Sequence, residues 1–294
     1  MRMHDGQVDV TAEVVAALVA AQLPQWSGYD VRPLASTGTV NALFRLGDDV
    51  VLRLPLEPSP ADAMRDSLLR EQDHARRLAG LTTVETPEPL ALGRPGEGYA
   101  GWWTAYRWIE GEPPHDLGDP DGFARDLARF VRALRAVDTG GRTWDGSSRG
   151  GPLHVRDRGV RAALAQSDGL TDVAAVTKVW QRCLAAPAYE DHGVWLHADL
   201  MPGNLLVREG RLAAVIDLGA VCVGDPAVDL MPAWNLFYDQ PRAAYRGAVQ
   251  VDDATWERGR GWAIAQAIVA LPYYVDTHPS MADTARRTLA AVLR

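Results

Sequence analysis

The sequence predicts an α+β fold with two lobes, a small antiparallel sheet in the N-lobe and a mainly helical C-lobe. Short runs of β-branched and aromatic residues are concentrated before residue 110, and helical spacing of apolar residues dominates after it. The sequence Glu-Gly-Glu-Pro-Pro at residues 110–114 separates the two patterns and breaks any regular element. We therefore expect an N-lobe of residues 1–108 and a C-lobe of residues 109–294.

The N-lobe is expected to contain two helices and five short strands. Residues 11–23 have helical spacing behind a threonine cap, and a second helix begins at residues 59–62, with proline in its first turn, and runs to Gly80. Residues 47–49 fit a tight hairpin between two strands. The predicted strands are residues 31–34, 40–46, 50–54, 87–92 and 102–109.

The C-lobe is expected to be helical except for one hairpin, whose strands are residues 205–207 and 212–216. Pro272 is expected to break the longest helix, because proline lacks the amide donor of a helix interior. The predicted helices are residues 121–137, 155–165, 171–185, 227–238, 242–249, 253–275 and 279–293.

Composition excludes several classes of protein. The formal net charge of -8 argues against nucleic-acid binding, which needs a basic face, and suits cationic small molecules instead. Two cysteines in 294 residues give no disulfide framework. The N-terminus lacks the pattern of a signal peptide, and the longest apolar run, residues 261–275, is shorter than the roughly 20 residues of a membrane span. We expect a cytoplasmic protein with no membrane partner; the sequence gives no signal for oligomeric state.

Two carboxylates and one carboxamide stand at informative separations in the C-terminal half. Asp199 precedes Asn204 by five residues, and Asn204 precedes Asp217 by thirteen. Phosphoryl transfer from a magnesium nucleotide needs a carboxylate that orients a hydroxyl and accepts its proton, and two hard oxygen ligands for the metal. Short strands around these residues are expected to bring the three side chains together.

The flanking residues resemble the aminoglycoside phosphotransferase family, which are small-molecule kinases with a protein-kinase-like fold. The resemblance rests on three ordered motifs, residues 197–204, 216–219 and 224–230, and extends to residues 41–55 and 106–111 in the N-lobe. It implies a protein-kinase-like two-lobe fold over nearly the whole chain.

The resemblance also implies roles for the motif residues. Asp199 would be the catalytic carboxylate, and Asn204 and Asp217 would hold Mg²⁺ at the phosphates of ATP or GTP. Asp229 and Asp225 match positions that brace the catalytic loop, although Asp225 before a proline is equally an ordinary helix cap.

The nucleotide side departs from the family pattern at Arg53. Kinase-like folds place a strand lysine on the nucleotide phosphates and pair it with a helix glutamate, but the sole lysine here is Lys178. Arginine carries a permanent charge and a fork suited to phosphate, and Glu71 is the expected partner. As an exposed arginine, Arg53 is expected to be replaceable by alanine without loss of the fold.

Two further segments of the N-lobe are expected to contact the nucleotide. Ser36, Thr37 and Gly38 stand in place of the phosphate-covering loop, though without its glycine pattern. The backbone around Arg107, Trp108 and Ile109 resembles the hinge that meets the purine base, and the sequence leaves adenine and guanine both open.

The acceptor pocket is expected in the helices after Asp217. Acidic side chains there suit an amine-rich aminoglycoside, and aromatic side chains suit a macrolide or another flatter molecule. Helix capping and core packing are the alternative roles of these residues. The candidates are Trp234, Tyr238, Asp239, Asp252 and Glu257.

Together these features predict transfer of the γ-phosphoryl group of a Mg²⁺ nucleotide to a hydroxyl of a small molecule, in the first place an aminoglycoside, a macrolide or another antibiotic. Leu218 stands where protein kinases have phenylalanine, and no activation segment follows, so protein substrates are disfavoured. Two alternatives stay open. One is a primary-metabolite kinase of the choline, homoserine or sugar kind, and the other is a catalytically silent nucleotide-binding protein.

Overall fold

A computed structural model describes residues 8–34, 40–57, 61–115 and 117–294, without the side chain of Ala61. The chain divides into two compact units. Unit 1 comprises Met1–Gly80, Glu85–Glu110 and Ala214–Gly219; unit 2 comprises Leu81–Val84, Gly111–Ala213 and Ala220–Arg294. Asp217 therefore belongs to the same unit as Arg53 and Glu71, whereas Asp199 and Asn204 belong to unit 2.

Unit 1 contains an antiparallel sheet of five strands and two helices. The strand order is β1-β2-β3-β5-β4, and the pair Leu46 and Val50 closes the predicted tight hairpin. Thr11 caps the first helix through a bond from the amide of Val14. The elements are α1 (Ala12–Gln22), β1 (Val31–Pro33), β2 (Asn41–Leu46), β3 (Val50–Pro55), α2 (Ala61–Leu78), β4 (Pro89–Gly93) and β5 (Trp103–Arg107).

Alternation along β3 divides its side chains between the core and the opposite face of the sheet. Val50, Leu52 and Leu54 are buried in a core that includes Leu18 of α1. Because successive side chains of a strand point to opposite faces, Arg53 lies on the face away from this core. The two-residue period of the sequence thus determines which face carries the guanidinium.

Unit 2 is mainly helical, with a short strand pair and a hairpin whose second strand runs into unit 1. Strand β6 (Val194–Leu196) pairs antiparallel with β9 (Cys222–Gly224), and β7 (Leu205–Arg208) pairs with β8 (Arg211–Val215). The helices are α3 (Pro120–Arg135), α4 (Asp157–Ala165), α5 (Val173–Leu184), α6 (Pro232–Asn235), α7 (Asp239–Val249), α8 (Asp253–Tyr274) and α9 (Pro279–Val292).

Three expectations about unit 2 need correction. The helix predicted over residues 227–238 is instead a 3₁₀ segment, Pro226–Leu230, followed by the short α6, because Pro232 has no amide to continue one helix. The predicted break at Pro272 is absent, since this proline lies in the last turn of α8, where one missing donor removes a single bond. Strand β9 was not predicted.

None of the helices within the described residues is long and apolar enough to cross a bilayer. Helix α8 forms the centre of unit 2: it packs on α4, α5 and α9 and on the 3₁₀ segment Pro226–Leu230. Its side chains are buried on most sides, including Trp262, Ile264 and Ile268. The polar side chain of Gln266 in this helix is therefore expected to have a specific hydrogen-bond partner.

Candidate active site

Asp199 lies in the loop that follows β6, and the backbone of this loop donates hydrogen bonds to Asp229. The Asp229 carboxylate is fully buried and accepts the amides of His197 at 2.9 Å and Ala198 at 2.7 Å. Burial raises the pKa of Asp229, against the opposing effect of His197 and these amides. The Tyr245 hydroxyl donates to the Asp229 carbonyl at 2.7 Å, which ties α7 to the same brace.

The Asp199 carboxylate accepts hydrogen bonds on both oxygens. Arg149 donates to Oδ1 in an ion pair, and its Nη1 also contacts the Ala198 carbonyl at 3.2 Å. Gln266 Nε2 donates to Oδ1 at 3.0 Å, and Asn204 Nδ2 donates to Oδ2 at 3.2 Å. Donors from three separate chain segments therefore fix the orientation of the carboxylate.

Asn204 is positioned by the turn between Asp199 and β7. The Asn204 amide donates to the Met201 carbonyl at 2.9 Å, and its side-chain Nδ2 donates to the Asp199 carbonyl at 2.8 Å. This orientation uses the carboxamide nitrogen and leaves the carboxamide oxygen as the atom that suits a cation. Hard oxygen donors of this kind are the ligands that Mg²⁺ prefers.

Two features of the loop after β6 fix the conformation of its backbone. Ala198 has a φ of 62°, a left-handed conformation that glycine adopts without penalty. The buried Asn235 donates to the Leu200 carbonyl at 3.1 Å and to the Met201 sulfur at 3.4 Å. The loop thus keeps its shape with an alanine and a methionine through contacts made elsewhere in the fold.

Asp225 has a structural role next to this loop. It caps the 3₁₀ segment by accepting the Ala227 amide at 3.0 Å, so the helix-cap interpretation is confirmed. It also pairs with Arg258 of α8 at 2.7 and 3.1 Å, and both side chains are only 5% exposed. Asp229 therefore binds the backbone of the loop that carries Asp199. Asp225 instead joins the 3₁₀ segment Pro226–Leu230 to α8.

In unit 1, Arg53 of β3 lies between two carboxylates. Its Nη1 forms an ion pair with Glu71 of α2, as predicted, and its Nη2 lies 3.3 Å from Oδ1 of Asp217. Asp217 itself has a φ of 64°. Its carboxylate is 42% exposed, so oxygen lone pairs remain accessible beside the arginine.

The expectation that Arg53 is exposed is wrong. Its side chain is 15% exposed and Glu71 is 8% exposed, because the guanidinium lies over Tyr106 as well as between the two carboxylates. Burial opposes the charged form of Arg53, but the carboxylates of Glu71 and Asp217 outweigh it and raise the pKa of the guanidinium. Removing this side chain would therefore delete its ion pair with Glu71.

In the predicted hinge, residues 107–109, two of the three backbone amides already donate hydrogen bonds within the protein. The Arg107 amide donates to the Glu88 carbonyl at 2.9 Å, and the Trp108 amide donates to the Asp49 carbonyl at 2.7 Å. The Trp108 ring lies under the Arg45 guanidinium at 3.8 Å. Among the described residues the Ile109 amide has no such backbone bond, so it is the hinge donor left for a base. Ser36, Thr37 and Gly38 lie outside the described residues.

Within the described residues, no hydrogen bond or ion pair joins any of the five acceptor candidates to Asp199. Trp234 is 3% exposed and packs against Trp256 with ring centroids 4.9 Å apart. Asp252 caps α8 through the Thr255 amide at 2.6 Å, and Glu257 pairs with Arg182 at 2.7 Å. Tyr238 and Asp239 stand at the start of α7 and show no contact with Asp199.

Sequence reasoning missed three residues that hold the catalytic loop: Arg149, Gln266 and Asn235. Gln266 carried a signal, because it is a polar residue inside the apolar run at residues 261–275. Arg149 lies in the glycine-rich loop at residues 140–151, where local pattern gives no hint of its partner 50 residues away. Its role appears only in the folded chain.

Within the described residues no group of three or more histidine, cysteine, aspartate or glutamate side chains can hold a metal ion by itself. The Asn204 carboxamide oxygen in unit 2 and the Asp217 carboxylate in unit 1 are each a hard oxygen donor of the kind that Mg²⁺ accepts. Mg²⁺ keeps waters and phosphate oxygens among its ligands and needs only one or two protein ligands.

Unit 2 also contains a cavity of about 300 Å³ between the loop at Trp144 and helix α8. Tyr189, Arg258 and Cys183 line it, but Asp199, Asn204 and Gln266 do not. The charged pair at its wall, Asp225 with Arg258, is fully occupied by internal hydrogen bonds. This cavity is separate from the candidate catalytic group.

Comparison with known proteins identifies similar sequences and folds. A sequence model of the phosphotransferase enzyme family, abbreviated APH, matches residues 30–262. A comparison with curated proteins found no match.

Solved structures of similar fold include two kinds of antibiotic phosphotransferase. APH(2″)-IIIa in complex with GDP and kanamycin has a TM-score of 0.69 at 18% identity, covering 95% of this chain and 97% of that one. The macrolide 2′-phosphotransferase of Brachybacterium faecium has a TM-score of 0.59 at 21% identity, covering 95% and 97%. The streptomycin–ATP complex of APH(2″)-IIa has a TM-score of 0.58 at 18% identity, covering 94% and 99%. These likenesses confirm the predicted α+β, protein-kinase-like fold.

Proposed function

Because the chain belongs to the phosphotransferase enzyme family, we propose that it is a small-molecule kinase that transfers the γ-phosphoryl group of ATP or GTP to a hydroxyl group. The observation that carries this proposal is the Asp199 carboxylate, held on both oxygens by Arg149, Gln266 and Asn204. A carboxylate oriented in this way suits the role of accepting and directing a hydroxyl proton.

In the proposed reaction Asp199 orients the acceptor hydroxyl and takes its proton. The acceptor oxygen forms a bond to the γ-phosphorus, the bond between this phosphorus and the β,γ-bridging oxygen breaks, and the nucleoside diphosphate leaves. Asp229 supports this step by fixing the backbone on which Asp199 stands. Asn204 and Asp217 would supply oxygen ligands to Mg²⁺, which neutralises charge on the phosphates when bound.

Arg53 would hold the nucleotide phosphates in place of the family's lysine. Within the described residues two of its five N–H donors engage Glu71 and Asp217, which leaves three donors for phosphate oxygens. The ion pair with Glu71 fixes the orientation of the Arg53 guanidinium. The hinge contribution to the base would come from the Ile109 amide, with Arg107 and Trp108 shaping the strand that leads to it, and Ser36, Thr37 and Gly38 would cover the phosphates.

The acceptor would be a hydroxylated small molecule of the antibiotic kind. Support comes from related folds, since one such structure contains kanamycin, another contains streptomycin and a third is a macrolide phosphotransferase. Stacking, capping and ion pairing already engage three of the acceptor candidates, namely Trp234, Asp252 and Glu257. The candidates that remain for acceptor contacts are Tyr238 and Asp239, at the start of α7.

The test is a nucleotide-release assay with purified protein, Mg²⁺, ATP or GTP, and a panel of hydroxylated antibiotics. We expect formation of the nucleoside diphosphate to depend on the acceptor. Asp199→Asn should lower kcat by at least about 100-fold. Asp283→Asn removes the same charge from an exposed pair with Arg286 and should leave kcat unchanged. Nucleotide binding without acceptor-dependent release, unaffected by Asp199→Asn, would favour the catalytically silent alternative.

A further inference from the structure

Two arginines of unit 2 lie near each other beside the Asp199 loop, since Arg149 contacts the Asp199 carboxylate and Arg156 contacts the residue before Arg149. Arg149 touches Asp199 Oδ1 and the Ala198 carbonyl with a single nitrogen, Nη1. Its side chain is 43% exposed, and its other N–H groups make no hydrogen bond within the described part of the chain. One edge of this guanidinium thus holds the catalytic carboxylate, and the remaining edge is open to a ligand.

Arg156 is the second arginine, and it has no anionic partner among the described residues. Its Nη2 donates to the Ser148 carbonyl at 3.2 Å, directly before Arg149 in the chain, and its Nε is buried without a hydrogen bond. It lies 5.1 Å from the ring of Trp262, one helical turn before Gln266 in α8. Burial and the positive charge of Arg149 together lower the pKa of Arg156. Charges withdrawn from water are normally paired, and no carboxylate of the described residues pairs with this partly buried guanidinium.

Two of the three acidic side chains expected to attract an amine-rich acceptor are already engaged. Asp252 caps α8, and Glu257 pairs with Arg182. Positive charge is concentrated next to Asp199, because Arg149 contacts its carboxylate and Arg156 lies near Arg149. An acceptor with several ammonium groups would be repelled from this position, and an acceptor with an oxyanion would be attracted.

We propose that Arg149 and Arg156 form an oxyanion subsite that binds a carboxylate or phosphate group of the acceptor, next to the hydroxyl presented to Asp199. The inference rests on the proposed kinase function and narrows its acceptor to hydroxylated molecules that carry such an acidic group. A guanidinium presents a planar fork that matches both carboxylate and phosphate oxygens. Polycationic aminoglycosides then fall outside the preferred acceptors.

A matched set of three sugars isolates the effect of charge: glucose, glucosamine and glucuronate share a ring and most hydroxyls. Binding is measured by titration calorimetry with Mg²⁺ and a non-hydrolysable nucleotide. We expect glucuronate to bind at least about tenfold more tightly than glucosamine. Arg156→Gln should abolish this preference, and Arg156→Lys should retain part of it. Equal or tighter binding of glucosamine, or no difference among the three sugars, would overturn the proposal.

Two controls separate this subsite from other roles of the arginines and from the catalytic proposal. Arg286→Gln removes the same charge from an exposed pair on α9 and should leave the preference unchanged. If Arg149 only positions Asp199, then Arg149→Gln lowers kcat in the nucleotide-release assay and leaves the preference for glucuronate intact, which would remove Arg149 from the subsite. Preferential glucuronate binding without turnover of any acceptor would contradict the kinase function and not the subsite.

Discussion

The buried carboxylate of Asp229 accepts the Ala198 amide at 2.7 Å, directly before the residue that carries the candidate catalytic carboxylate. The same carboxylate accepts the His197 amide, so one side chain satisfies two donors of a loop that leaves β6. Ala198 adopts a left-handed backbone at this point, and the brace is the contact that holds it there.

Asp229→Asn is expected to destabilise the protein and to lower activity together. The carboxamide keeps the size of the side chain but sets an N–H₂ group against one of the two amides, at a cost of about 1–3 kcal/mol in the free energy of unfolding. Urea unfolding and the nucleotide-release assay measure both effects. Asp283→Asn, on the exposed surface of α9, is the matched control and should change neither. An Asp229→Asn protein of unaltered stability would show that the brace is dispensable.

Arg53→Ala is expected to lower stability as well as nucleotide use, contrary to what the sequence suggests. The substitution removes the ion pair with the buried Glu71 carboxylate, a loss of about 1–3 kcal/mol in the free energy of unfolding. Arg53→Lys keeps the charge and matches the family's usual residue, so it should restore most of the stability. Thermal unfolding and the KM for the nucleotide are the measurements. An Arg53→Ala protein with normal stability and a raised KM would restore the interpretation of Arg53 as an exposed residue.

The Asp225–Arg258 pair is expected to matter far more than a surface pair of the same chemistry. Both side chains are 5% exposed, and Asp225→Asn leaves Arg258 buried without its counter-charge, at a cost of about 3–5 kcal/mol. The exposed Asp283–Arg286 pair is worth about 0–1 kcal/mol, so Asp283→Asn serves as the comparison. Chemical denaturation of the two variants tests the difference. Equal, small losses of stability in the two variants would mean that the contacts of Arg258 with Pro187 and Thr255 are enough to stabilise its buried charge.

Cys222 is expected to react slowly with alkylating reagents in the folded protein. Burial raises the pKa of its thiol to about 11, from an ordinary value of 9.0. At pH 8 the thiolate fraction is then about 100-fold lower than that of an unshifted thiol. Mass spectrometry of iodoacetamide-treated protein, with and without urea, measures the rate. Burial also raises the pKa of Cys183, so comparable rates in folded and unfolded protein would contradict both shifts.

Much of the fold follows from local sequence. The alternation of β3 places Arg53 opposite the core, and the cap at Thr11 begins α1 as predicted. Errors occur where proline competes with helical spacing. Pro232 ends a helix that apolar spacing alone would continue, whereas Pro272 lies too near the end of α8 to interrupt it.

The family motifs, the strand face that carries Arg53 and the short-range contact between Asn204 and Asp199 can be predicted from the sequence, because they depend on spacing within a few residues. The surroundings of Asp199 cannot, because they are formed by distant parts of the folded chain. Arg149 and Gln266 reach it from 50 and 67 residues away, and the burial of Arg53 depends on packing against α2 and Asp217. Contacts between distant segments form when hydrophobic burial brings helices and loops together, and local periodicity records the buried face of an element but not its partner.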